Sequence, residues 1–212
     1  MKIAIGIPMY KQVPTQAVTS IMGLQRHLHI KDLFADKFDD YEIITIDSCF
    51  VDTARNMIVD EAIKKKCDYI LWIDSDHQFD VIELENFVRK AMFSEFDIVG
   101  GWYNSRTEPG QVVAYNFNEE ISIPIMTKIN PELVKKEEKY LECGCPGLGM
   151  CLMPTTIPSL IREKHSFAFR CENIDGNIIG EDTYFFFKVM KENKYTVAID
   201  CSFHVGHIGG II

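Results

Sequence analysis

The chain has 212 residues, 47% hydrophobic and 25% charged, which is enough for one domain with a substantial core and leaves no polar-biased stretch that reads as a disordered tail. Its 31 acidic against 22 basic side chains give a net charge of -9, which argues against nucleic acid as a partner recognised through bulk electrostatics. No run of 18 apolar residues reads as a membrane span, the opening apolar stretch breaks at Pro8 too soon for a secretory signal, and seven scattered cysteines fit a reducing compartment, so a cytosolic protein is expected.

In chain order, apolar strand-like runs alternate with helical patterns through the first hundred residues. KIAIGIP at 2 to 8 predicts a strand, and 14 to 29 a helix with Ala17, Ile21, Leu24 and Leu28 on one face. YEIITI at 41 to 46 predicts the second strand. A helix over 52 to 66 follows, in which Ala54, Ile58 and Ala62 recur every four residues and Lys64 to Lys66 suit the dipole at its end. YILWI at 69 to 73 is the third strand, 80 to 93 the third helix and FDIVGG at 96 to 101 the fourth strand. Beyond this the pattern changes: QVVAYNF and ISIPIMT read as a hairpin or paired edge strands, and KYLECGCPGLGMCLM as strands around a glycine-rich turn. Helices are expected over 155 to 163 and 181 to 192, with YTVAID and SFHVGH as closing strands. The expectation is one α/β domain over 1–212, with a parallel half to about 101 and a mixed, partly antiparallel half from about 102.

In an open parallel sheet, ligands bind beyond the carboxyl ends of the strands. Pro8 and Tyr10 follow the first strand, Asp52, Arg55 and Asn56 the second, Asp74 and Asp76 the third, and Gly100, Gly101 and Trp102 the fourth, all on one rim. Two carboxylates there would repel a phosphate unless a divalent cation stood between them. Oxygen ligands suit Mg²⁺, and an imidazole shifts the preference toward Mn²⁺. His207, in the glycine-flanked VGHIGG end, is the better imidazole; His204 falls on another face in strand phase. Glu181 and Asp182 open a helix whose continuation is nearly all apolar, which places a rigid carboxylate at a pocket edge.

Each of these residues also has a plainer reading. Asp74 and Asp76 fit an exposed turn, His207 a packed histidine, and Glu181 and Asp182 ordinary acids at a helix start. Arg55 fits an ion pair to Asp52 or Asp47 as well as a ligand contact, and Trp102 and Tyr103 fit packing as well as sugar stacking. Cys143, Cys145 and Cys151 with His204 and His207 match no compact zinc spacing, and His27, His29 and His165 receive no role.

Asp74-Ser75-Asp76 at a strand end, DTARN one unit earlier, CPGLGMCLM, GEDTYFF and a terminal VGHIG, in that order over nearly the whole chain, resemble the GT-A glycosyltransferases. The resemblance is to inverting enzymes such as those of family 2 and, more narrowly, to the glycosyltransferase domain of a large chlorella virus protein. It implies a GT-A (nucleotide-diphospho-sugar transferase) fold, with a mostly parallel central sheet, helices on both faces and a smaller antiparallel part. Pro8 and Tyr10 would line the nucleotide pocket, with Asp52 and Arg55 near the base or diphosphate. Within the donor-binding triplet Asp74-Ser75-Asp76, Asp74 would face the ribose or the metal. Asp76 and His207 would be direct ligands of Mn²⁺ or Mg²⁺. Asp182 would be the general base, with Glu181 orienting its neighbours, and Gly147 to Gly149 and Trp102 would shape the sugar and acceptor pocket. The implied reaction moves a hexose or 6-deoxyhexose from a UDP-sugar to a glycan hydroxyl, with inversion. The catalytic loop of larger relatives is not evident, and no separate acceptor domain is present.

Other classes remain as alternatives. A sugar-nucleotidyltransferase would want a glycine-rich phosphate loop with an Arg near IGIPMYKQVP, and a phosphatase a nucleophilic Asp at the end of the first strand, where Pro8 stands. The complete set Asp76, Asp182 and His207 argues against a binding module that has lost catalysis, since a binder would not need the base.

Overall fold

The computed structural model describes residues 1–9, 13–30, 40–48, 50–108, 110–118, 124, 126–137, 139–174, 176–192 and 194–208. Tyr10, most of ISIPIMT and the end of VGHIGG lie outside them.

The first half follows the sequence pattern closely: β1 (Lys2–Met9), α1 (Thr15–Ile30), β2 (Asp40–Asp47), α2 (Val51–Lys64), β3 (Tyr69–Ile73), β4 (His77–Gln78), α3 (Val81–Met92) and β5 (Ile98–Trp102). The second half contains β6 (Tyr115–Phe117), β7 (Met126–Lys128), α4 (Pro131–Lys136), β8 (Tyr140–Glu142), β9 (Met150–Pro154) and α5 (Thr156–His165). It closes with β10 (Glu172–Ile174), β11 (Asn177–Ile179), α6 (Glu181–Glu192), β12 (Val197–His204) and β13 (Gly206–His207). Short β4, α4, β10 and β11 carry too few residues to show a period, and the pattern did not predict them. The expected pair of closing strands is one strand, β12, with a register irregularity between Asp200 and His204, followed by the two residues of β13.

A seven-stranded sheet of order β2-β1-β3-β9-β5-β12-β8 runs through the molecule. The pairs β1/β2, β1/β3 and β5/β12 are parallel, whereas β9 runs antiparallel between β3 and β5, and β8 is antiparallel at the edge. The boundary expected near residue 101 therefore does not divide the sheet. β9 comes from the second half and sits at the centre, because MCLM is apolar on both faces and is fully buried there.

Strand alternation separates two cores. Ile3, Ile5 and Ile7 of β1 pack with Leu24 and Leu28 of α1 and with Leu84, Phe87 and Val88 of α3. Ala4, Ile70, Trp72, Cys151 and Met153 face the other way, toward Ile58 and Val59 of α2, Ile157 and Ile161 of α5, and Phe185 and Phe186 of α6. Helices thus cover both faces. The apolar run after Asp182 is explained by this burial, since Tyr184 to Phe187 and Val189 are all inside. Asp80 caps α3 by accepting from the Ile82 and Glu83 amides, a device worth about 1 kcal/mol that fixes where the helix begins.

Candidate metal and donor site

The carboxyl ends of β1, β3, β5 and β12 share one rim, and because β9 runs the opposite way its beginning lies there too. The Gly149 carbonyl accepts from the Asp74 amide (2.8 Å), which brings the glycine-rich turn against the Asp74-Ser75-Asp76 turn. Gly147 has φ +74, which favours glycine, and a Cβ there would overlap the Tyr103 hydroxyl. A Cβ at Gly149 would overlap the His77 ring.

After β3 the chain turns, with His77 N–H donating to the Asp74 carbonyl at 3.1 Å, and then forms β4. β4 pairs antiparallel with β13, opposing Gly206 to Gln78 and His207 to His77. Residues directly opposite one another in such a ladder project to the same side, so the two imidazoles meet, with ring centroids 4.8 Å apart. The ligating atoms of Asp76, His77 and His207 all lie within 4.8 Å of one another.

The hydrogen bonding around these three groups is incomplete. The Asn104 carbonyl can only accept, so His207 Nδ1 carries the proton (2.9 Å) and Nε2 presents its lone pair, 3.7 Å from Asp76 Oδ2. That separation is within the roughly 3–4 Å spanned by two donors each about 2.1 Å from one cation. His77 is fully buried, neither of its ring nitrogens has a hydrogen-bond partner among the described residues, and Asp76 Oδ1 is also buried without one. An unsatisfied buried polar atom costs about 1–3 kcal/mol, so three in one cluster point to a ligand that completes them. Burial pushes the His77 pKa down to about 4, against the pull of Asp74 and Asp76, so the ring is neutral and able to ligate near pH 7. Burial works against the Asp76 charge, but His207, His77 and Arg106 outweigh it and hold its pKa below the ordinary value. The residues present fit a divalent cation with mixed oxygen and imidazole ligands, a set that favours Mn²⁺ over Mg²⁺.

The structure brings Asp76 and His207 together, while the Asp74 carboxylate is paired with an arginine. Asp74 Oδ1 accepts from Arg55 Nη2 at 2.7 Å, and Arg55 Nε donates to Glu181 at 3.3 Å while the guanidinium lies over the Trp72 ring. Arg55 is therefore in an ion pair, but its partners are Asp74 and Glu181 rather than the expected Asp52 or Asp47. Burial opposes its charge, yet Asp74, Glu181 and Asp182 together raise its pKa. Asp52 is engaged in the fold, accepting from the Thr53 and Cys171 amides, and Asn56 clamps the backbone at Ala168 and Phe169. Trp102 is half-buried, with its indole N–H on the Cys201 carbonyl and its ring against His204. Ser75 and Pro8 are buried at the rim. Asp182 begins α6, where Oδ1 accepts from the Thr183 amide at 2.6 Å. Its charge acts on Arg55, Tyr103 and Cys145, so Asp182 lies near the Arg55 side of the rim. Cys143, Cys145 and Cys151 are buried thiols with pKa values driven up by burial, unlike zinc thiolates.

Sequence reasoning missed His77, Arg106 and the supporting role of Tyr103. A histidine directly after the Asp74-Ser75-Asp76 triplet was the available signal for the first. Arg106 gave none, because it lies thirty positions from Asp76 and meets it only through the fold.

No family model matches the chain, and no curated protein matches it. Among solved structures, A197 from STIV superposes with a TM-score of 0.59 at 19% identity, covering 99% of this chain and 87% of that one. GalNAc-T7, in a structure with UDP, GalNAc and Mn²⁺, superposes with a TM-score of 0.59 at 9% identity, covering 98% of this chain. The match spans 44% of the GalNAc-T7 chain, so this chain corresponds to less than half of that enzyme. These likenesses establish the GT-A fold.

Proposed function

We propose that this protein is a metal-dependent glycosyltransferase that moves a hexose or 6-deoxyhexose from a UDP-sugar to a glycan hydroxyl with inversion. One observation carries the reading: on a GT-A sheet, at the strand-end rim, Asp76, His77 and His207 converge, and Asp76 Oδ1 and both His77 ring nitrogens are buried without a hydrogen-bond partner among the described residues. The GalNAc-T7 structure holds UDP and Mn²⁺ on the same fold, which agrees with that choice of donor and cation.

In this reading Asp76, His77 and His207 would hold the cation, which would supply charge neutralisation to the diphosphate leaving group. Asp74, oriented by Arg55, bounds the ribose side, with Pro8 and Ser75 beneath the nucleotide. The turn at Gly147, where a side chain would not fit, leaves room for the sugar. Asp182 takes the acceptor hydroxyl proton while that oxygen attacks the anomeric carbon; the bond to the diphosphate breaks, and the nucleoside diphosphate leaves with its electron pair. A positioned base of this kind contributes about 10²–10⁴-fold. Within 1–212, the part to about 101 would serve the nucleotide and the remainder the acceptor.

A panel of nucleotide sugars with and without Mn²⁺, read by thermal stabilisation and by release of diphosphate, tests the proposal. The expected result is metal-dependent stabilisation by one UDP-sugar with slow hydrolysis. Asp182→Asn should retain donor binding and lose about 10²–10⁴-fold in turnover. Normal turnover in that variant would remove the base assignment. A second reading, a nucleotide-sugar-binding module, is favoured by the engagement of Asp182 Oδ1 with Thr183 at the helix start. Binding without any turnover would select it.

A further inference from the structure

The loop after β5 serves every member of the cluster. Tyr103 stands edge-on to both His77 and His207 and accepts the Gly149 amide on its hydroxyl, and the Asn104 carbonyl sets the His207 tautomer. Its base is braced, with Ser105 N–H on the Gln111 carbonyl (2.7 Å), Val113 N–H on the Tyr103 carbonyl (2.9 Å) and Asn104 bridged to Val112. Arg106 extends from this rigid base. Its Nη2 reaches Asp76 Oδ2 and its Nε donates to His207 Nε2 at 2.7 Å, so one guanidinium spans the two atoms that a cation would use.

The two arginines at the rim are therefore not equivalent. Arg55 is 2% exposed and locked between two carboxylates, whereas the Arg106 side chain is 49% exposed and extends from a braced loop. A guanidinium and a divalent cation on the same Asp76 Oδ2 would be two positive groups a few ångströms apart, and their repulsion disfavours shared occupancy. A guanidinium displaced by a cation stays tethered beside it, and its planar fork matches the oxygens of a diphosphate.

We propose that Arg106 is an internal counter-ion: it occupies the cation position in the metal-free protein, yields it to the divalent cation, and then binds the diphosphate of the donor held there. This inference rests on the metal-dependent reading above, and its test separates the two. In the metal-free state the guanidinium lowers apparent metal affinity by the fraction of molecules in which the site is open.

The test is titration of Mn²⁺ alone into the protein, Arg106→Ala and Asp76→Ala by calorimetry, in low salt and in about 0.5 M NaCl, where the Debye length is roughly 4 Å. UDP is then titrated at saturating Mn²⁺. Arg106→Ala should bind Mn²⁺ about tenfold tighter in both salts, as expected if the open fraction is about a tenth. It should also bind UDP about tenfold more weakly, having lost a charge-assisted contact. Unchanged Mn²⁺ affinity, or a gain that disappears in high salt as a diffuse charge effect would, overturns the counter-ion role. Unchanged UDP affinity overturns the diphosphate role. If Arg106→Ala and the unaltered protein both fail to bind Mn²⁺, as Asp76→Ala should, the metal reading itself falls and Arg106 is a structural ion pair.

Discussion

Asp74 and Asp76 are two residues apart on the same turn, yet their surroundings differ in kind. Asp74 meets a buried arginine that also holds Glu181, at distances of 2.7 and 3.3 Å, and Oδ1 is satisfied within the chain. Asp76 meets a half-exposed arginine and two imidazoles, and retains a buried oxygen without a partner among the described residues. The first arrangement is architecture: it ties α2, the end of β3 and the start of α6 into one unit. The second is the candidate site, where Asp76 Oδ1 and the His77 ring nitrogens lack a partner among the described residues. A pair of carboxylates at a strand end is therefore not one feature, and the counter-ion beside each tells which does what.

The largest expected effect breaks this comparison on stability. Arg55→Ala leaves Asp74 and Glu181 without their common cation in a buried place, and should cost about 3–5 kcal/mol in chemical denaturation. Arg106→Ala, at a half-exposed pair, should cost at most about 1 kcal/mol. Equal losses would mean that both arginines are structural.

Next comes metal affinity. Asp76→Ala should weaken Mn²⁺ binding by about a hundredfold or more, beyond what loss of a supporting partner costs, whereas Asp74→Asn should change it by less than about tenfold. The reverse order, measured by the same titration, would move the cation to Asp74.

The smallest effect concerns pH. Burial raises the Glu181 pKa above its ordinary 4.5, with Arg55 opposing and Asp182 reinforcing the shift. A carboxyl with a raised native pKa binds more protons folded than unfolded, so its contribution to stability is present below 4.5 and is lost as pH rises through the native value. The unfolding free energy of the protein, less that of Glu181→Gln, should accordingly fall as pH rises across that window. A flat difference would show that Arg55 compensates Glu181 fully.

Much of the fold was legible in the sequence. Every long element of the first half was expected within two or three residues, because a strand or helix of more than one period records its buried face in its own spacing. The same holds for α5 and α6, and the strand ends placed Asp76 just past β3, where the structure has it. The DSD and VGHIG segments were expected to share a cation, and the structure sets Asp76 and His207 side by side.

What the spacing could not contain is which segments become neighbours. The insertion of β9 between β3 and β5, the pairing of β4 with β13 that turns His77 toward His207, and the choice of Arg55 for Asp74 and Arg106 for Asp76 were all decided by tertiary structure. The physical reason is the range of the forces. Periodicity and capping act within a few residues and are written locally, whereas two-residue strands and ion pairs gain too little by themselves to specify a partner. They form only once the large apolar faces have packed and brought the segments together.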